Sequence, residues 1–316
     1  MLSGILAALA AGLLWGLVFI TPLLLPEYPG AILSFGRYTA FGLIALIPAW
    51  FDRQRIADLK RADWIVALKL STVGNIFYYA TLSSAIQLAD APLPTMLIGT
   101  LPVIIATFSN WSPHHPSDSI AWRKLFLPLG FIFIGLLLVN AAELHHMDGK
   151  RSVADYVQGG LLALLAVAAW TWYPIVNSRY LKANNQIRSS TWATAQGLAV
   201  LPLALIGFTL YGIANGMGFT ASQYAFPLGE QPMKFVMAMV ILGLTASWLG
   251  TLFWNYASQK LPTSLAGTLI VFETLAALLY TFILRGAIPA AQIILGVILL
   301  CVGVALSVRV FQPTSH

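Results

Sequence analysis

From Leu2 to Leu25 the chain holds no charged side chain, and runs of this kind recur along its length. They fall near 3–25, 31–50, 64–86, 91–109, 125–142, 157–177, 189–213, 235–257, 264–284 and 288–310. A helix of roughly 18 to 25 residues crosses a hydrocarbon core of about 30 Å at 1.5 Å per residue. The sequence therefore predicts an all-α integral membrane protein with ten transmembrane helices. Alternating half-polar strands of about ten residues are absent, which argues against a membrane barrel. Only 9% of residues are charged and 59% are apolar, where a soluble domain carries about 25% charged residues. Lipid must cover what water cannot.

The formal charge of +6 does not point to nucleic acid, because the basic residues lie in short segments between apolar runs. Arg53, Arg55, Lys60, Arg61, Arg123, Lys124, Arg179, Lys182, Arg188, Lys260 and Arg309 fall on one side, and Lys150, Arg151, Lys234 and Arg285 on the other. Basic residues accumulate in the cytoplasm, so both termini are expected there, in a bacterial inner membrane. The first run has neither a basic leader nor a small-x-small cleavage site and reads as a retained span. Cys301 is the single cysteine, which excludes an internal disulfide or a multi-cysteine metal site. His114-His115 and His145-His146 sit in loops with no acidic or cysteine partners, so no metal and no cofactor is expected.

Five spans per half imply two copies in opposite orientations, residues 1–142 and 157–310. Ala85–Pro102 aligns without gaps on Ala257–Thr274, with Gln87 opposite Gln259 and Leu97-Ile98 opposite Leu269-Ile270. Trp15 follows Gly4 at the same distance as Trp170 follows Gly159, and the Pro128/Gly135 spacing matches Gly296/Gly303. Inverted repeats of this sort place a solute site between them near the midplane.

With "LLWGLVF" at 13–19, "GRYTAFGLIALI" at 36–47, "TLPVIIA" at 100–106, "FETLAALLYTFI" at 272–283 and "GVILLCVGVAL" at 296–306, the chain resembles the EamA-type ten-helix members of the drug/metabolite transporter superfamily. The resemblance covers nearly the whole chain in two copies. It implies efflux of metabolites, often amino acids or related amines and drug-like solutes, through a central cavity lined by helices of both halves. Two positions depart from the family pattern. Thr274 follows Glu273 where proline is usual, and Arg285-Gly286 stands where an acidic residue is common after the ninth span.

Glu273 is the sharpest single residue. A charged side chain near a span centre costs about 2.5–3.5 kcal/mol on insertion scales, so it must face protein or water. It reads either as a site for a coupling proton or a substrate amine, or as a neutral acid bonded between helices. Arg37 matches the family's arginine in the second span. It can snorkel, as Lys69 can, or pair with a solute carboxylate or an acid of the external vestibule. Asn75 with Tyr79, Trp15 with Phe19, and Trp170 with Tyr173 share helix faces and read either as cavity lining or as interhelical packing. Pro102 and Pro174 remove backbone donors inside spans and are candidate hinges. Ala8, Gly12 and Gly16 form a small-residue ridge for close packing. Trp111, Trp122 and Trp192 read as interfacial anchors, and the connection 214–234 as a lid or slack.

Three function classes follow. The first is a secondary transporter exporting a small metabolite by alternating access, with the proton as candidate coupling ion, as a monomer or homodimer. The second is a flippase for lipids or lipid-linked sugars on the same scaffold. The third, an intramembrane enzyme, lacks HExxH, G-x-S-x-G or paired acids.

Overall fold

A computed structural model gives the fold and describes residues 1–89, 92–111, 121–144, 152–220, 224–286 and 288–311. Asp90, both histidine pairs, Lys150 and Arg151 lie outside the described residues. Ten helices among the described residues are long and apolar enough to cross a membrane. They are α1 (Leu2–Leu24), α2 (Gly30–Phe51), α3 (Arg61–Ala89), α4 (Leu93–Trp111), α5 (Trp122–Leu144), α6 (Val153–Ala183), α7 (Ser189–Gly216), α8 (Pro232–Lys260), α9 (Thr263–Leu284) and α10 (Ala291–Val310). Several run longer than hydropathy alone suggests, because local chemistry caps them beyond the apolar run. The Lys60 backbone N–H donates to the Asp63 carboxylate at 2.7 Å and starts α3. Ser152 Oγ accepts from Asp155 N at 3.1 Å and starts α6.

The helices pack in a pattern that maps onto itself when the halves are exchanged. α5 lies along α10, α2 along α7 and α4 against α9, while α1 packs on α8 and α9 much as α6 packs on α3 and α4. Without a hydrophobic drive between helices in lipid, such contacts depend on close approach. The glycines noted in the sequence provide it. A Cβ on Gly4 would lie 3.0 Å from Leu261 Cδ2, and one on Gly159 would lie 2.5 Å from Ala89 Cβ. A Cβ on Gly135 would lie 2.8 Å from the Gly296 carbonyl oxygen, and one on Gly303 2.9 Å from that of Pro128. Each pair is the other's counterpart in the register of the sequence echoes, which is consistent with two inverted repeats.

Both halves also interrupt the same helices. α3 widens into a π-helical turn at Ser71–Phe77 and α8 at Gly243–Leu249. α4 breaks at Thr100 and α9 at Ile270, each through two tightened bonds: Thr100 N to Leu97 O and Val103 N to Thr100 O, Ile270 N to Gly267 O and Glu273 N to Ile270 O. Pro102 falls in the first turn after the α4 break, where its missing N–H costs little. Pro174 is buried while α6 continues through it.

Candidate solute site

The small-residue ridge on α1 positions the acid. A Cβ on Gly12 would lie 3.0 Å from the Glu273 backbone nitrogen, and one on Gly16 would lie 2.7 Å from Ala276 Cβ. With α1 this close, Glu273, in the first turn after the α9 break, is held inside the bundle with 3% of its surface exposed. Arg37 comes from the third turn of α2 and is equally hidden, at 4%. It does not snorkel, unlike the exposed Lys69. Instead its Nε donates to Ser247 Oγ at 2.9 Å, and its guanidinium lies 4.6 Å from the Tyr79 ring centroid and 5.0 Å from that of Tyr38. Cation–π contact and one hydrogen bond replace part of the lost hydration.

These two side chains line one small hollow with Trp15, Val18, Tyr38, Asn75, Tyr78, Trp170, Ala246, Ser247 and Thr251. The π turns supply two of the polar groups. Asn75 and Ser247 occupy corresponding positions in them and face each other across the pseudo-repeat. A π turn in a membrane helix frequently marks a functional position. The floor is aromatic. Tyr78, Trp170 and Tyr173 stack in sequence, with centroids 4.5 Å and 5.0 Å apart, and the Trp15 ring meets Trp170 edge-on at 5.1 Å. Trp15 is fixed by its indole N–H donating to Ala246 O at 2.9 Å, against Gly250, where a Cβ would not fit.

Among the described residues no nitrogen–oxygen approach within 4.0 Å joins Arg37 and Glu273. Arg37 Nη1, Glu273 Oε2, Asn75 Nδ2 and Tyr78 Oη are buried with no hydrogen-bond partner. Unpartnered buried polar atoms are costly, and with Trp170 Nε1 five belong to residues lining one hollow. The hollow measures about 10 Å³, which accommodates at most about one water. The open central cavity implied by the family resemblance is therefore closed in this conformation, because the stacked rings fill it.

The structure brings Trp15, Arg37, Asn75, Trp170 and Glu273 together at the hollow. Tyr79 and Tyr173 stand one layer behind, supporting Arg37 and Trp170, and Phe19 is buried in the core one turn along α1. Sequence reading missed Tyr38, Tyr78, Ser247 and Thr251. It also misread Trp192, which is fully buried rather than an interfacial anchor: its ring stacks on Tyr180 at 4.6 Å and its N–H donates to Asn177 Oδ1 at 2.9 Å. Trp111 and Trp122 are exposed, as anchors should be. The connection after α7 is not slack. Phe226 covers Gly212, and the Tyr28 hydroxyl, from the α1–α2 loop, donates to Leu228 O at 2.8 Å.

Ten spans, interrupted helices and two buried ionisable side chains at their centre are the features expected of a membrane transporter. Comparison with known proteins makes this specific: the chain belongs to the EamA-like transporter family, within the drug/metabolite transporter superfamily, and the family model matches residues 2–141. It is 47% identical to Inner membrane protein YtfF of Escherichia coli (strain K12), over 98% of this chain and 96% of that protein. It is 19% identical to a Bacillus subtilis (strain 168) protein named Uncharacterized transporter YoaV, over 99% of both. A solved crystal structure, 17% identical, superposes with a TM-score of 0.70 and covers 99% of each chain, which shows the shared fold.

Proposed function

We propose that this protein is a secondary transporter that exports a small zwitterionic metabolite, an amino acid or a related amine, across the inner membrane. Two inverted five-helix repeats alternate access to the central hollow, both termini face the cytoplasm, and protons are the coupling ion. The observation that carries this reading is the pair Arg37 and Glu273, sealed in one hollow without touching. A direct ion pair would offset much of the burial cost of both charges. Holding them apart, with a free donor on one and a free acceptor on the other, fits a third body that bridges them: a carboxylate against the Arg37 fork and an ammonium against Glu273.

Neither member of this pair has a charged counterpart in the other repeat. In the register that aligns the first residues of α2 and α7, Gly30 and Ser189, Arg37 corresponds to Gln196. In the register that pairs Gln87 with Gln259, Glu273 corresponds to Leu101. A solute between them is thus oriented one way, with its apolar part on the Tyr78–Trp170 shelf. Lateral clefts do exist, of about 600 Å³ between α9 and α10 and 370 Å³ beside α2 and α8. Neither is lined by a basic residue; a third, of about 620 Å³ between α4 and α5, carries one, Arg123, so the flippase reading would have to rest on that cleft.

The test is flux into proteoliposomes under an imposed pH gradient, with solutes identified by overexpression growth against toxic amino-acid analogues. An amino acid should be carried, while its decarboxylated amine and its deaminated acid are each carried at least about tenfold more slowly, as loss of one charge-assisted bond implies. Equal transport of all three would remove the charge pair from recognition.

A further inference from the structure

Gln87 and Gln259 are the two polar residues that the repeats share at identical register, and the solute site uses neither. They lie at opposite ends of the molecule in the same local setting. The Gln87 side-chain amide donates to the main-chain oxygen of Tyr28 at 2.6 Å, and that of Gln259 to the main-chain oxygen of Ile187 at 2.8 Å. Tyr28 stands two residues before the start of α2 and Ile187 two before the start of α7. One turn earlier the correspondence repeats: Ser83 Oγ donates to Gly30 O at 3.1 Å and Asn255 Nδ2 to Ser189 O at 3.4 Å, each target being the first residue of its helix.

We propose that Gln87 and Gln259 are the positioning residues of two gates, each latching the end of a π-bearing helix to the loop that seals one end of the hollow. The seals themselves differ. At the Gln87 end the seal is aromatic: the buried Tyr28 ring stacks on Phe235 at 4.7 Å, and its hydroxyl ties Leu228 O and Gln231 N of the α7–α8 connection. Gly229, at φ 68°, lets that connection pass against the ring, where a Cβ would sit 2.6 Å from Tyr28 Cε1. At the Gln259 end the seal is a buried amide ladder. Ser189 Oγ donates to Gln259 Oε1 at 2.7 Å, Asn177 Nδ2 to Asn255 Oδ1 at 2.9 Å, and Tyr173 Oη to Gln196 Oε1 at 3.0 Å.

The latch chemistry suits a reversible fastening. A neutral amide on a main-chain carbonyl is net worth only about 0.5–1.5 kcal/mol, enough to bias a gate and little enough to release. Each latch also shares a helix with a hollow-facing π-turn residue, Asn75 with Gln87 on α3 and Ser247 with Gln259 on α8. Occupation of the hollow and release of a latch therefore act on one rigid element. This assignment rests on the transport reading, but its test needs no flux and fails separately from it.

The test uses the full chain with Cys301→Ser and a single reporter, Ala246→Cys, in the hollow, labelled by a membrane-impermeant maleimide from either face. The parent should label slowly from both. Gln87→Met should speed labelling roughly tenfold from one face only, the external face on the proposed orientation, as loss of one buried bond implies. Gln259→Met should do so from the opposite face only. Variants that fail to reach the membrane are replaced by Gln87→Asn and Gln259→Asn, which keep the amide but fall a methylene short. Opposite, face-specific acceleration in protein that melts cooperatively supports the assignment. Acceleration from both faces by either variant, from the same face by both, or from neither overturns it. If amino-acid flux is absent while labelling stays face-specific, the solute reading fails and the latches stand.

Discussion

Glu273→Gln should abolish pH-driven flux while leaving the protein folded. Glutamine matches glutamate in volume, so the packing of Gly12 against the α9 backbone is untouched. What it removes is the one carboxylate in a hollow where Arg37 supplies the opposite charge. Losing one partner of a desolvated charge arrangement costs about 2–5 kcal/mol, which is roughly thirtyfold or more in the apparent affinity for an ammonium-bearing solute. On the proposed mechanism the site takes up or releases its proton in step with solute, so the gradient should no longer drive accumulation. Solute exchange without a gradient should persist weakly at high concentration. Undiminished gradient-driven flux in Glu273→Gln would take the residue out of the mechanism.

The second large effect is structural. A Cβ on Gly74 would lie 2.2 Å from Tyr173 Cδ2, 2.5 Å from Cγ and 2.7 Å from Cβ. The last of these atoms cannot move without its backbone, so rotamer change offers no escape. Gly74→Ala should therefore destabilise the folded protein by about 1–3 kcal/mol, the range for overpacking a filled interior. It should also separate α3 from α6 at the π turn, break the Tyr173–Gln196 bond and tilt the Tyr78–Trp170–Tyr173 stack. Gly130→Ala is the control, since a Cβ there meets nothing within 4 Å. The measurement is thermal unfolding in detergent followed by tryptophan fluorescence. The expected outcome is a clear fall in midpoint for Gly74→Ala and none for Gly130→Ala, and equal midpoints would show that the π turn yields.

Much of this architecture is legible in the sequence because lipid imposes a harsh and simple constraint. Apolar runs of spanning length have few other uses, and Glu273 and Arg37 are conspicuous for costing free energy wherever they sit. The glycine and glutamine echoes were visible too, since close approach between helices leaves small residues behind and inverted copies keep their register. Sidedness was harder to read. A soluble helix shows its buried face by contrast with a polar one, whereas a helix such as α7 is apolar toward protein and lipid alike. Tyr78 and Tyr79 are adjacent letters, and only the fold turns the first to the hollow and the second to Arg37. The π turns leave no residue signature. Trp192 sits near a span end, as an anchor would, and its burial follows from Asn177, Gln196 and Asn255, which come from three separate helices. Nor did the sequence disclose that rings would close the cavity.

The central claim is that Arg37 and Glu273 jointly hold the solute. Equilibrium binding of the transported amino acid to purified protein tests it most directly, comparing the parent with Arg37→Gln and Glu273→Gln. The account predicts one saturable site per chain, weakened at least about thirtyfold by either substitution, as loss of a desolvated charged contact implies. Binding of unchanged affinity in both variants would contradict it.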